Sequence, residues 1–552
     1  MVGMLLILCC FLSLFTKPTV AIATTSLSSS KHLFLEDNHR HGLLLSASTQ
    51  QHTDHDDPPT IGNPKSFYLA TCVPGLAHIL QRELEDIQQT QYSTDNISNI
   101  CVSGNAAVTF EATREVSLYA LCWLRSAHRL LEMVATSDKL AMTLQTRDDV
   151  HTFVHQQVNI KDLLGDGKGG LLTLSVKAIL NNPRQLPQDL SHSHYTALTV
   201  KNALCDMVRN LRGDRPDVDI ENADVPLVCI LRGEQTGTVN TASISLYRSL
   251  HPSGSLHKRG YRQGSAIHKA AMKESLAAGL LLEAGWKEQV DTLDKESDRK
   301  LRLIDPMAGS GSLILEACMI ATDIAPGLMR IRCGLDVHRM PPVTRWKGSD
   351  QQDAEELWKS ILLDATRRAK SGIQRMREEP DRIQIVANDI HPGAIEIMES
   401  ALSQAGFVNF VEIHNWDCYD LAVADNDPCR HTIVTTNPPW GVRLTEDIQE
   451  SWEGLKHFIR NKCPGGTRVY VLSGDKSATG ILKLKRDRMI PIQTGDQHLR
   501  WVQYTIRGSS DSEEELTSPA VQDKIKQKSI GNSTSPMSFQ SKQKTVDLNG
   551  WG

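Results

Sequence analysis

From residue 266 to residue 507, short apolar runs alternate with stretches of helical periodicity, and this alternation constrains the fold of the 552-residue chain more than any other feature. Leu301–Asp305, Ile383–Asn388, Val411–His414, Thr432–Thr436 and Arg468–Ser473 read as strands. Lys269–Ala284, Ser312–Ile324, Asp353–Arg377, Gly393–Ala405 and Ile448–Arg460 carry apolar residues at helical spacing. Strands separated by helices imply a doubly wound, mostly parallel sheet, an α/β domain. Such a sheet binds its ligand outside the C-terminal ends of its strands, so the residues that follow each strand are the ones to read for chemistry.

Upstream, two smaller α/β modules are expected, at 63–140 and 141–250. The first reads as strand Phe67–Cys72, helix Leu76–Ile87, strand Ala107–Phe110 and helix Glu115–Val134. The second reads as strand Leu172–Lys177, helix Tyr195–Leu211 and strands Val225–Leu231 and Thr241–Leu246. Neither carries a catalytic constellation of its own. The large domain is placed at 251–507, and the Ser-, Lys- and Gln-rich stretch 508–552 is expected to be a disordered tail.

The formal charge is −5, which excludes a uniformly basic nucleic-acid coat protein and requires any RNA or DNA partner to be held by a local patch. Twelve cysteines without a C-x-x-C pair encode neither a disulfide scaffold nor a zinc ribbon, so buried thiols in a reducing compartment are expected and no metal is. Met4–Phe15 is an apolar run followed by Ala21-Ile22-Ala23, a pattern of the secretory signal type, so residues 1–23 read as a leader. Such a leader implies an organelle reached by the secretory route, of plastid type, and otherwise the cytoplasm or mitochondrion. The run is too short for a comfortable membrane span, so no stable anchoring is expected once it is removed. Residues 24–62 read as a disordered linker, and His39, His41, His52 and His55 within it as solvated side chains rather than metal ligands.

Three strand ends carry the site. Leu303-Ile304-Asp305-Pro306-Met307-Ala308-Gly309-Ser310-Gly311-Ser312 leaves a strand and opens a helix, with Gly309 and Gly311 allowing a sharp turn and close approach to a ligand. The dinucleotide fingerprint fails at Ile314 and no Gly-Lys-Ser/Thr completes a P-loop. Asp305 at the strand tip disfavours a pyrophosphate and suits a ligand with a cationic amino-acid part, such as S-adenosylmethionine. Asp389, after the next strand, is placed to accept from ribose hydroxyls. Its distance from Gly311 far exceeds the about 20 residues of a minimal unit, so an inserted helical segment at about 320–380 must intervene. Asp417, in Asn415-Trp416-Asp417, is placed to accept from an adenine amine.

The third strand ends in Asn437-Pro438-Pro439-Trp440-Gly441. Two prolines stop the ladder and stiffen the backbone. That leaves the Pro438 carbonyl and the Asn437 side-chain oxygen as neighbouring acceptors for the two N–H groups of an exocyclic amine, with Trp440 as a flat face for its base. Such an amine is a poor nucleophile because its lone pair is delocalised into the ring. Holding both N–H groups re-aims that lone pair at a methyl donor, without a strong general base.

A cationic segment precedes the large domain. Between Gln235 and Lys273 there is no Asp or Glu, while Lys258, Arg259, Tyr261 and Arg262 interleave charge with an aromatic. This suits phosphate contact and base stacking as well as it suits a solvated linker turn.

With these motifs the chain resembles class I S-adenosylmethionine-dependent methyltransferases acting on exocyclic amines. It is more closely similar to the THUMP-domain RNA guanine-N2 methyltransferases, and specifically to the N-terminal half of the bacterial two-part large-subunit ribosomal RNA methyltransferase of the K/L type. Ser255–Arg262, Met272–Ala278, Ala321–Gly327 and Ala223-Asp224-Val225-Pro226 carry the closer likeness, which covers roughly residues 65–507. The resemblance implies a ferredoxin-like module plus THUMP, an RNA-binding device, before a Rossmann-like methyltransferase domain. It implies cofactor contacts at Asp305, Pro306, Gly309, Gly311, Asp389 and Asp417, and Asn437, Pro438, Pro439 and Trp440 around the target amine. Ser312 stands where the family usually has Thr, and Trp440 where it usually has Tyr. The second half of the bacterial protein has no counterpart, so a second modification is not expected. The implied substrate is structured RNA, with large-subunit ribosomal RNA expected and tRNA as the alternative. A DNA amino-methyltransferase is disfavoured by the THUMP-like region, and a non-catalytic ribosome-assembly factor by the intact motifs.

Overall fold

The computed structural model describes residues 64–507 apart from short segments (139–142, 167–169, 221, 237–238, 252–254, 263–270, 294–297, 336–339, 347–350, 423–426, 428 and 442–445). The expected leader, His-bearing linker and tail lie outside the described residues. Among the described residues, no single helix is long and apolar enough to cross a membrane.

The N-terminal region runs β1 (Ser66–Thr71), α1 (Ala77–Thr90), β2 (Ile97–Val102), β3 (Ala107–Ala112), α2 (Arg114–Trp123) and β4 (Arg129–Thr136). It continues through α3 (Arg147–Gln157), α4 (Ile160–Leu164), β5 (Leu174–Asn181), α5 (Ser193–Arg212), β6 (Val225–Thr236) and β7 (Val239–Ser249). These strands make one seven-stranded sheet in the order β2-β3-β1-β4-β7-β6-β5. The two expected modules are therefore joined: β4 pairs antiparallel with β7, Glu132 opposite Arg248.

The segment expected as a helix through Val134 is instead α2 followed by β4. Both halves are apolar and buried, so periodicity alone does not divide them. The division is made by Glu83 on α1, whose carboxylate accepts from the backbone N–H groups of Arg125 (2.7 Å) and Ser126 (3.1 Å) and so fixes the turn between them.

The second domain runs α6 (Glu274–Glu283), α7 (Trp286–Thr292), β8 (Lys300–Asp305), α8 (Ser312–Ala321), α9 (Pro326–Arg332), α10 (Gln351–Glu378) and β9 (Ile383–Asn388). Then come α11 (Pro392–Ala405), β10 (Glu412–His414), β11 (Arg430–Thr436), α12 (Glu446–His457), β12 (Arg468–Ser473), α13 (Lys476–Ile481), β13 (Arg488–Thr494) and β14 (Gln497–Thr505). The sheet order is β10-β9-β8-β11-β12-β14-β13. The first five strands are parallel, and the β13–β14 hairpin closes one edge antiparallel. The hairpin is not apparent in the sequence because Pro491 interrupts β13, as proline does on edge strands. The chain winds outward in both directions from the β8–β11 pair, which sets the ligand crevice at the C-terminal ends of those two strands.

The expected insertion between Gly311 and Asp389 is α9, α10 and the turns around them, and it fastens the two sheets together. Arg368 on α10 lies 3.7 Å over the Trp123 ring, bonds Tyr119 at 3.0 Å, and is held by Asp323 at 2.7 Å. Trp346 donates its indole N–H to the Asp224 carbonyl at 2.9 Å, and Arg248 stacks on its ring at 4.1 Å.

The described cysteines are all free thiols. Eight are buried, as expected, but Cys101 and Cys429 are exposed.

Candidate active site

β8 and β11 run parallel with Ile304 opposite Val434, so the turn after Asp305 lies beside Asn437 and the prolines after Thr436. A cleft of about 580 Å³ opens there. It brings together Asp305, Pro306, Gly309, Asp389, Asp417, Asn437 and Pro439 from four separate strand ends. Met272, Ser312, Ile390, His391, Asp447, Glu450 and Ser451 complete much of the wall. Gly311, Pro438 and Trp440 are not among the lining residues.

The glycine turn is built as its sequence requires. Gly309 and Gly311 have φ of +54° and +74°, the left-handed region. A Cβ on Gly311 would lie 2.5 Å from Met398 Cγ, so this glycine is also required by the approach of α11.

Asp389 shapes that turn more than the sequence reading anticipated. One oxygen accepts from Gly309 N at 2.8 Å and the other from His391 N at 2.9 Å. Each carboxylate oxygen retains further lone pairs for a ligand hydroxyl. Beside it, fully buried Asn388 donates to the carbonyls of Pro306 (3.0 Å) and Trp416 (3.1 Å) and accepts from Trp416 N (3.0 Å). Asn388 thereby locks three strand ends together. The signal for it was present in Asn388-Asp389, but only the acid stood out as chemically useful.

The cleft is strongly acidic. Asp305, Asp389, Asp417, Asp447 and Glu450 face it, with no Lys or Arg among the described lining residues. Asp305 is 1% exposed, and burial, with Asp389 adding to it, pushes its carboxyl up to about 7. Such a wall favours a ligand that carries positive charge. Asp447 and Glu450 were missed in the sequence because acids near a helix start read as ordinary dipole-complementing residues.

The Asn-Pro-Pro-Trp segment departs from expectation in two respects: Pro438 and Trp440, expected around the target amine, do not line the cleft, and the Asn437 oxygen is already engaged. The Asn437 side-chain oxygen is not free: the Trp440 indole N–H donates to it at 3.0 Å. The Trp440 ring packs against Gly474, where an added Cβ would lie 2.9 Å from its Cε3 atom. The Pro439 carbonyl accepts from Trp452 at 2.8 Å. Pro438 is buried, and no hydrogen bond reaches its carbonyl among the described residues.

The cationic segment requires a correction. Arg259 and Tyr261 are fully buried, not presented to a partner. Arg259 Nε pairs with Glu316 at 3.2 Å, its other nitrogens donate to the carbonyls of Leu256 and Arg125, and Tyr261 donates to Glu316 at 3.0 Å. The physical reason is Glu316, a fully buried carboxylate on α8 that needs a cation and donors around it. Arg262 also turns inward, bonding Ser312 Oγ and, at 3.2 Å, the Met272 carbonyl, and so braces two lining residues of the cleft. Of the four candidates, Lys258 is exposed.

Residues 259–503 match the family described as RMKL-like, methyltransferase domain. Residues 68–131 match the RlmL ferredoxin-like domain and residues 184–237 the THUMP domain. Among curated proteins, the "Ribosomal RNA large subunit methyltransferase K/L" of Allochromatium vinosum is 32% identical over 58% of this chain and 38% of its own length. The protein of the same name from Magnetococcus marinus is 30% identical over 75% of this chain and 50% of its own. The chain thus spans about half the length, or less, of these curated relatives. Among solved structures, a possible methylase of Clostridium difficile 630 and the protein SMU.472, crystallised with SAH, each align with a TM-score of 0.60 at 18% identity. Each alignment covers 80% of this chain and 98% of that chain. The chain therefore carries, in order, a ferredoxin-like domain, a THUMP domain and a class I methyltransferase domain.

Proposed function

We propose that this chain transfers a methyl group from S-adenosylmethionine to the exocyclic N2 amine of a guanine in RNA, with large-subunit ribosomal RNA as the substrate. The observation that carries the reading is the one cleft in which the Gly309 turn, the acids Asp305, Asp389 and Asp417, and Asn437 and Pro439 meet. The names of the curated relatives support the choice of ribosomal RNA, and the THUMP match supports an RNA substrate.

The residues present fit this cofactor. Asp305 is a buried carboxyl at the tip of β8 that a cationic amino-acid moiety would ionise. Asp389 and Asp417 supply acceptors for hydroxyl and amino groups, and exposed Ile390 an apolar surface beside them. When bound, the cofactor supplies a methyl group activated by a positively charged sulfur. The protein's part is positional: Asn437 at the cleft wall holds an amine N–H group through its side-chain oxygen, while the prolines and the Trp452 bond keep that backbone from yielding. A guanine within structured RNA must leave its stack to enter the cleft, at a cost of a few kcal/mol.

The test is transfer of labelled methyl from S-adenosylmethionine to purified large-subunit ribosomal RNA, with tRNA and DNA as parallel substrates, followed by nucleoside analysis. N2-methylguanosine in ribosomal RNA supports the reading. Its appearance only in tRNA moves the substrate, and a methylated adenine or cytosine overturns the target.

A further inference from the structure

The two faces of the N-terminal sheet are unlike. On one, Tyr68, Ala70 and Phe110 join the main core with the helices. On the other, Leu69, Leu131, Val228 and Tyr247 form a small separate cluster edged by half-buried Met133, Ile179 and Ile230. Above this second face lies a trough of about 1220 Å³, larger than the active-site cleft. The β2–β3 turn at Ser103–Ala106 walls one side, and Asn181 at the end of β5 with Asn182 after it the other.

The rim of the trough is cationic in a chain whose net charge is −5. Arg129, Arg232 and Lys273 line it, against Asp138 as the acid among the described lining residues. Arg232 and Lys273 are exposed. His128 and His257 line the same end with ring centroids 5.8 Å apart. Burial first, and then Lys273, push both imidazoles down, to about 3 and about 4, so both rings are neutral near pH 7 and the charge at this end is that of the lysine and arginine side chains.

Lys273 lines the trough and its neighbour in the chain, Met272, lines the cleft. Ser312, directly after Gly311, donates its hydroxyl to the Met272 carbonyl at 3.2 Å, which sets the residue before Lys273 close to the glycine turn.

We propose that this face of the shared sheet is the docking surface for a single-stranded stretch of the RNA substrate. The proposal rests on the reading of the chain as an RNA methyltransferase. The rim cations take phosphates, and the half-buried Phe67, Met133, Ile179 and Ile230 of the floor take unstacked bases, which a duplex would keep hidden. This relocates RNA contact from the segment around Arg259, which is buried, to a surface assembled from β1, β4, β6 and the residue before α6.

The experiment compares the full chain with the R232A/K273A double variant for binding a single-stranded oligoribonucleotide and a duplex of the same sequence, across a salt series. Both side chains are exposed, so unchanged thermal melting and unchanged S-adenosylmethionine binding are expected. For the single strand, the variant should lose at least tenfold in affinity at low salt, and the slope of log affinity against log salt should flatten by about 1.4, since each lost phosphate contact contributes about 0.7. Wild-type binding of the single strand with no change of affinity or slope in the variant overturns the sheet-face proposal and leaves the RNA reading standing. Wild-type preference for the duplex overturns it as well. If the wild type binds no RNA of either form while still binding S-adenosylmethionine, the RNA reading itself falls.

Discussion

The indole N–H of Trp440 donates to the side-chain oxygen of Asn437 across 3.0 Å. An amide can present either its oxygen or its nitrogen to a substrate, and this bond decides between them: with the oxygen towards Trp440, the same oxygen's second lone pair is left for an amine. Trp440 then acts as the residue that orients Asn437, with one ring face already spent on Gly474. The variant W440F keeps the flat ring and loses the donor. One hydrogen bond is worth about 1 kcal/mol, so the methyl-transfer rate in single turnover should fall about fivefold with S-adenosylmethionine affinity unchanged. Asn437→Ala should cost about a hundredfold or more, as loss of a positioned transition-state contact does. Equal activity of W440F and wild type would show that the bond does not set the amide.

Asp305 makes cofactor binding depend on pH. Its carboxyl, raised to about 7 from an ordinary 3.8 by burial, keeps a proton in the folded protein that the unfolded chain gives up. The folded state therefore binds more protons between about pH 4 and pH 7, and stability contributed by this group declines as pH rises through that window. A cationic cofactor held beside Asp305 favours the ionised form, so its affinity should climb with pH up to about 7 and then level off. Calorimetric titration from pH 5.5 to 8.5 should show proton release on binding below pH 7. In Asp305→Asn the affinity should be weaker and flat across the same range.

The parts of the site that were legible in the sequence are those fixed by a strand end. Asp305, Asp389 and Asn437 each follow a short apolar run, and a parallel sheet delivers such positions to one edge whatever the intervening chain does. Arg259 was not legible in this way, because its partner Glu316 is 57 residues away and only the packing of α8 brings it there. A guanidinium in a charge-rich segment reads as exposed until its buried partner is known. The union of the two N-terminal modules was hidden for a related reason: the pairing of β4 with β7 is a contact between distant strands and leaves no local periodicity.

The two glycines of the turn should respond differently to alanine. Both need a left-handed backbone, which costs an L-residue roughly 1–2 kcal/mol. At Gly309 an added Cβ meets nothing within 4 Å, so Gly309→Ala should lose about that amount of stability. At Gly311 the Cβ would press on Met398 Cγ at 2.5 Å and Sδ at 2.9 Å, so Gly311→Ala should lose measurably more. Denaturant titration of the two variants side by side gives the comparison. The pair G311A/M398A should recover part of the difference if the clash is its cause.

Arg259 and Glu316 are both fully buried and lie at the junction of the two domains, where Arg259 also reaches the Arg125 carbonyl at 2.6 Å. Removing one partner leaves the other charge without compensation, which typically costs about 3–5 kcal/mol, whereas removing both leaves an uncharged gap. Glu316→Gln and Arg259→Met should therefore each lower stability by about that amount, while the double variant loses less than the sum of the two. If Arg259 instead served mainly to contact RNA, Arg259→Met would melt like the wild type and bind RNA more weakly. Thermal unfolding of the three variants, with RNA binding measured on those that remain folded, separates these outcomes.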